Sequence, residues 1–237
     1  MDDAKSRLRR VVGDEGLARL DAARVAVVGL GGVGASCAEA LARGGIGSFV
    51  LADRDAVEPS NINRQAIAFV STVGQRKVDV MAAMVADINP AARVTTLDAF
   101  LTEETLAGEL DALPRPDYLV DAVDTLTAKA ALARYAAERG IPFIGSMGMA
   151  NRSDPTKLAF ADLFATEGCP FCREMRKIAR DRGISAMQVL YSKERPQKVA
   201  PAEGAHRRER TELGTYSYMP PIAGQMLASW VIRDLLR

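Results

Sequence analysis

The sequence predicts an α/β protein built on a doubly wound, mostly parallel sheet. Three observations carry that prediction. Short, continuously apolar runs alternate with helical periodicities from Arg24 onward, a glycine-rich turn follows the first run, and acidic residues stand where later strands end. Continuous apolar strands separated by helices belong to a sheet covered on both faces.

In chain order, residues 1–23 form an N-terminal helical arm. Strands are predicted at Val25–Val28, Phe49–Ala52, Arg93–Leu97, Tyr118–Val120 and Pro142–Ile144. Helices are predicted at Ala35–Arg43, Arg76–Ile88, Glu103–Leu110 and Thr127–Arg139. Asn89-Pro90 closes one helix because the residue before proline resists helical geometry, and Gly140 closes another as a C-terminal stop. After Ile144 the regular alternation ends. An apolar run at Lys157–Leu163, a helix at Cys172–Arg182, a strand at Gln188–Tyr191, an extended stretch at 216–219 and a last helix at Ile222–Leu236 follow. The expected organisation is a Rossmann-like nucleotide-binding domain over residues 1–150 and an extension over 151–237 that covers the site and supports a dimer. Residues 193–212 are rich in Pro, Lys, Arg, Glu and Gly and predict a mobile loop within that extension.

A net charge of +1 supplies no global field to recruit nucleic acid, so RNA binding requires a local patch. Aromatic residues make up 5% of the chain, too few for a base-stacking platform. No apolar stretch reaches membrane-spanning length, and the N-terminus lacks a signal pattern. Three cysteines do not form a disulfide framework, so a cytoplasmic protein is expected, with no membrane partner.

The chemistry gathers after the first strand. Gly29, Gly31, Gly32 and Gly34 form a G-x-G-G-x-G turn whose backbone N–H groups can approach phosphate oxygens, with a helix N-terminus behind them. Asp53 follows about twenty residues past the turn, where a carboxylate accepts ribose hydroxyls. That much fits NAD as well as ATP. The set Asp55, Asn63-Arg64-Gln65, Lys77 and Asp121/Asp124 has no use in hydride transfer, and it does suit the bending of a triphosphate. Cations spread the charge, amides position it, and carboxylates hold magnesium.

These residues resemble the ubiquitin-activating-type adenylyltransferases of the ThiF/MoeB superfamily, over nearly the whole chain. The most specific piece is N-x-N-R-Q at Asn61 to Gln65. The resemblance implies ATP and magnesium, with Asp53 on the ribose and Asn63 and Arg64 on the phosphates. It further implies Lys77 neutralising the triphosphate and Asp124 holding magnesium. The leading Ser6-Arg7 with Val11-Val12-Gly13 implies that Arg7 reaches the neighbouring subunit's site in trans, hence a homodimer. Shorter pieces are similar to the superfamily's tRNA threonylcarbamoyladenosine dehydratases. They are Gly44-Gly45-Ile46-Gly47, Ile88-Asn89-Pro90, Ser146-Met147-Gly148, Asp154-Pro155-Thr156, Tyr191-Ser192-Lys193-Glu194 and Pro220-Pro221-Ile222-Ala223-Gly224. This branch implies activation of the threonyl carboxylate as an acyl-adenylate and ring closure with loss of AMP. The alternative is activation of the C-terminus of a ubiquitin-like sulfur-carrier protein, and a cysteine desulfurase or sulfur-acceptor system is a further implied partner.

Two features stand beside this set. Relatives hold zinc with two C-x-x-C pairs, and this chain has one, Cys169-Pro170-Phe171-Cys172, with Cys37 in a helix and a single His206. A closed zinc site needs four ligands, so none is expected. The pair reads as two thiols near a helix start, with a redox or sulfur-relay role for Cys172 as the sharper reading. Basic residues at Arg173, Arg176, Lys177, Arg180 and Arg182, and at Arg207, Arg208 and Arg210, form either a solvated face or an anticodon-arm contact.

Overall fold

A computed structural model describes residues 4–198 and 213–237. Helix α1, Ser6–Ala22, is interrupted at Gly13, whose φ of +72° breaks the helical path. Strand β1 (Arg24–Val28) leads to α2 (Gly32–Arg43), then β2 (Ser48–Ala52), α3 (Lys77–Ile88) and β3 (Arg93–Leu97). Helix α4 (Leu106–Asp111), β4 (Tyr118–Asp121), α5 (Leu126–Glu138) and β5 (Phe143–Ser146) complete the alternation. Beyond it come β6 (Leu158–Asp162), α6 (Pro170–Asp181), β7 (Gln188–Ser192) and α7 (Met219–Leu235).

The strands form one seven-stranded sheet in the order β3-β2-β1-β4-β5-β7-β6. All neighbouring pairs are parallel except β6 with β7. The expected doubly wound sheet is thus present. Residues past 150 supply two of its strands, so the extension continues the sheet. The expected mobile loop lies outside the described residues from position 199 to 212.

Strand alternation explains the continuous apolar runs. Val25 and Val27 face a core shared with Leu41 of α2, Met81 of α3 and Leu227 of α7. Ala26 and Val28 face the opposite core with Leu106 of α4 and Leu132 of α5. Both sides of each central strand are therefore dry and their middle positions are apolar, with the buried polar residues Ser48 and Asp121 at strand ends. Helix α7 lies against α2 at very short range. A Cβ on Gly224 would come within 2.9 Å of the Cys37 nitrogen, so only glycine permits this approach. The sequence places the start of α7 at Ile222, whereas the helix begins at Met219, because the two prolines occupy the first turn, where a missing N–H costs nothing.

The strand order reverses between β1 and β4: the chain builds outward to β3 on one side of β1 and to β5 on the other, all strands there running parallel. In open α/β sheets ligands bind at such a switch, outside the carboxyl ends of the strands.

Candidate active site

The glycine turn leaves β1 at that switch. Gly29 has φ +90°, and its N–H donates to the Ala52 carbonyl of β2 at 2.8 Å. Its Cα lies so near the backbone of Ala122 and Val123 that a Cβ would sit 2.8 Å from the Ala122 carbonyl. Gly34 packs directly on the Gly29 carbonyl, where no side chain fits. Gly31 is the N-cap of α2 with no side-chain cap, so the first amides of the helix face the loop unshielded. Gly32 is buried against Pro220 and the backbone of Arg64.

The residues following β2 close around this turn. Asp53 Oδ2 accepts the Leu30 N–H at 2.6 Å and Oδ1 accepts the Asp55 N–H at 2.8 Å. An ionised carboxylate offers about four lone-pair sites, so two remain for ribose hydroxyls. Asp55 in turn accepts the Lys77 ammonium, with Nζ 3.0 Å from Oδ2. Lys77 opens α3 and is only 5% exposed, so its charge is held at the edge of the site. Gln65 is buried below the turn, with Nε2 4.0 Å from where a Gly31 Cβ would stand, and its Oε1 has no hydrogen-bond partner. Arg64 Nη1 donates to the Ser60 carbonyl at 3.0 Å and to Asn63 Oδ1 at 2.8 Å. Asn63 Nδ2 donates to the Thr215 carbonyl at 3.1 Å, tying this segment to the stretch before α7. Beside them Arg54 lies over the Phe100 ring at 4.0 Å, and Arg76 grips Asp98, holding that carboxyl below its ordinary range.

At the end of β4 the two acids part. Asp121 is fully buried and paired with Lys129 Nζ at 3.0 and 3.1 Å. Burial pushes the Asp121 carboxyl up in pKa, against the pull of Lys129. It is a structural group. Asp124 is exposed just before α5, next to the Ala122–Val123 segment that Gly29 touches. Sequence reasoning missed Lys129. Its signal is a lysine set among Ala128, Ala130, Ala131 and Leu132 on a helix with no solvent face there.

The glycine turn, Asp53, Asp55, Arg64, Gln65 and Lys77 are thus brought together, with Asp124 on the adjoining segment. Arg7 is not among them. It is exposed on α1, whose Leu8 borders Gly45 at the opposite, amino edge of the sheet. Helix α2 spans about 18 Å between the two edges.

The thiols differ from expectation. Helix α6 begins at Pro170, so Cys169, not Cys172, is the N-cap, and its pKa falls to about 6. Cys172 shifts upward, chiefly because it donates to Cys169. Cys37 is a buried core residue, and burial raises its pKa. Among the described residues no cluster of three or more metal-ligating side chains occurs. The basic face of α6 is partly used internally. Arg176 donates to the Thr166 carbonyl at 2.9 Å, and Arg182 to the Thr127 carbonyl at 3.0 Å. Arg173 and Lys177 remain exposed beside Glu174, and Arg180 lies over Phe164. Arg207, Arg208, Arg210 and His206 lie outside the described residues. No described helix is long and apolar enough to cross a membrane.

Sheet order, switch-point glycine turn and the acid–lysine–arginine set around it define a nucleotide-site α/β protein. The chain belongs to the ThiF family, whose model matches residues 4–237. It is 41% identical over 241 residues to the tRNA threonylcarbamoyladenosine dehydratase of Bacillus subtilis (strain 168), covering 98% of this chain and 94% of that one. It is 38% identical over 176 residues to the Escherichia coli (strain K12) protein of that name, covering 74% of this chain and 65% of that relative. The crystal structure of the E. coli tRNA N6-threonylcarbamoyladenosine dehydratase in complex with ATP superposes with a TM-score of 0.85 at 30% identity, covering 96% of this chain and 91% of that one.

Proposed function

We propose that the protein catalyses ATP-dependent dehydration and cyclisation of N6-threonylcarbamoyladenosine in tRNA. The observation that carries this reading is near full-length similarity to a dehydratase of that name, together with a nucleotide-site residue set at the sheet switch. The threonyl carboxylate attacks the α-phosphorus of ATP, pyrophosphate leaves, and an acyl-adenylate forms. A side-chain nitrogen of the modified base then attacks the acyl carbon and expels AMP, for the net loss of one water.

Attack on phosphorus needs positioning and charge neutralisation more than a covalent nucleophile. The turn that Gly29 permits brings the amides of Gly31, Gly32 and Gly34, at the uncapped start of α2, toward the phosphates, and Asp53 holds the ribose. Lys77 exchanges Asp55 for phosphate oxygen, while Arg64 and Asn63 turn from Ser60 and Thr215 toward the nucleotide. Gln65 offers its unpartnered amide oxygen. Magnesium is commonly held by one or two carboxylates and by substrate phosphates, which fits the exposed Asp124. When bound, it supplies charge neutralisation for the phosphates.

The working unit is a homodimer with Arg7 supplied in trans. Two observations support this: Arg7 lies at the sheet edge away from its own site, and Val11, Phe69 and Val70 are exposed apolar side chains at 83%, 53% and 86%. Exposed Arg173 and Lys177 are offered to the tRNA backbone, and a tRNA substrate supports a cytoplasmic location. The family likeness also supports a cysteine desulfurase or sulfur-acceptor system as accessory partner. The test is incubation with ATP, magnesium and either modified tRNA or a sulfur-carrier protein, following AMP, pyrophosphate and nucleoside mass. Loss of one water from the nucleoside is expected. Pyrophosphate exchange with the carrier protein alone would overturn the reading.

A further inference from the structure

At the carboxyl edge of the sheet, beyond the ends of β5 and β7, three buried groups meet at the start of α6. Cys169 is the N-cap, Pro170 opens the first turn, and Cys172 completes it. Arg152 is 2% exposed and donates from Nη2 to Cys169 Sγ at 3.1 Å. The guanidinium is fixed by the Gly148 carbonyl, 3.1 Å from Nε, and by the Glu194 carbonyl. The Cys172 thiol and the backbone N–H groups of Phe171 and Cys172, in the same turn, also pull the Cys169 pKa down.

The sulfur therefore has a buried, fixed guanidinium on it and sits on the positive end of a twelve-residue helix. Such surroundings favour the thiolate over the thiol. Positions three apart in a helical turn place their Cα atoms roughly 5 Å apart. That falls inside the window of about 4.4–6.8 Å that a disulfide spans. A groove opens onto Cys169, bordered by Gly168 and Pro196 and by three cations, Arg173, Arg176 and Arg195. Neither the adenylation chemistry nor the sheet core uses this arrangement.

We propose that Cys169 is a nucleophilic thiolate that exchanges with small anionic disulfides seated against Arg173, Arg176 and Arg195, and that it closes a reversible disulfide with Cys172. In the first step the Cys169 thiolate attacks one sulfur of the small disulfide. That S–S bond breaks, one half departs as a thiolate, and a mixed disulfide forms at residue 169. Cys172 then attacks the Cys169 sulfur, and its proton goes to the second departing half. The first thiolate takes from solvent the proton that Cys169 had lost. Two protein thiols are oxidised and the small disulfide is reduced to two thiols.

The test uses the full chain, glutathione disulfide and peptide mass mapping. The native chain is expected to lose two hydrogens in a Cys169–Cys172 disulfide, with Cys37 unmodified. Cys172→Ser stops at a glutathione adduct on residue 169. Replacing Arg173 and Arg195 by Glu slows exchange with glutathione disulfide about tenfold and leaves exchange with neutral hydroxyethyl disulfide unchanged. The proposal is overturned if the native chain forms no internal disulfide, if Cys172 or Cys37 takes up the glutathione adduct as fast as Cys169, or if both probes are slowed alike. The native-chain map suffices even where a variant folds poorly.

Discussion

Lys77 and Asp55 are joined twice: the ammonium lies 3.0 Å from the carboxylate, and the Lys77 backbone N–H donates to the Asp55 carbonyl at 3.0 Å. The second bond survives loss of the side chain, so the start of α3 stays anchored when the charge is removed. Lys77→Ala is expected to lower turnover by about 10²–10³-fold, the scale of losing one pre-placed charge stabiliser. Because Asp55 is half-exposed and rehydrates, stability should change by less than about 1 kcal/mol. AMP release and thermal melting measure the two effects separately.

The glycines of the turn are not equivalent. An added Cβ at Gly34 would collide with the Gly29 carbonyl, whereas one at Gly31 meets only Gln65 Nε2 at 4.0 Å. Gly34→Ala should cost about 3 kcal/mol or more, as overpacking against backbone does. Gly31→Ala should melt near the native chain. Equal melting of the two variants would contradict the packing described.

Lys129→Met strands a buried carboxylate. Removing one partner of a buried pair costs about 3–5 kcal/mol. Burial already raises the folded pKa of Asp121 above its ordinary value, and the loss of Lys129 raises it further. A group with a raised folded pKa contributes stability below its unfolded pKa and loses it as pH rises. The variant should therefore be weakest at neutral pH and recover toward acid, and adding Asp121→Asn should restore much of the loss. Denaturant melts across pH report this.

Arg7→Ala and Arg64→Ala should each be inactive alone. Mixed in equal amounts and allowed to exchange subunits, they should regain about a quarter of native turnover, since half the dimers are mixed and each of those has one intact site. No recovery after exchange shown by native mass spectrometry would place Arg7 outside the partner's site.

The Cys169 sulfur should alkylate with a rate that rises through a midpoint at about pH 6, because donors from Cys172 and Arg152 hold its proton loosely. Below that midpoint the thiolate protonates and the rate falls. Cys172→Ala removes the principal donor and should move the midpoint upward. Iodoacetamide labelling of residue 169 against pH gives both curves.

Much of this was legible in the chain itself. Val25–Val28 and Phe49–Ala52 could only be strands buried on both faces, and the glycine turn, Asp53 and Lys77 follow them at spacings that the fold turns into contacts. What stayed hidden depends on partners distant in sequence. Lys129 reads as one more helical lysine until Asp121 is found beside it. A start for α6 at Cys172 instead of Pro170 assigns the helix-end effect to the wrong sulfur. Strands β6 and β7 escape the regular strand–helix rhythm because no α-helix separates β5 from β6, and β6 joins the sheet as an antiparallel edge on β7, with α6 between the two.

The fit of Pro220 on Gly32 and of Gly224 on α2 has a consequence for the order of events during synthesis. The phosphate turn leaves the ribosome well before α7, the wall that packs it. Until α7 has emerged, α2 presents a bare apolar flank and the turn lacks its backing. A nascent chain therefore carries the nucleotide signature before it has the wall that packs the turn.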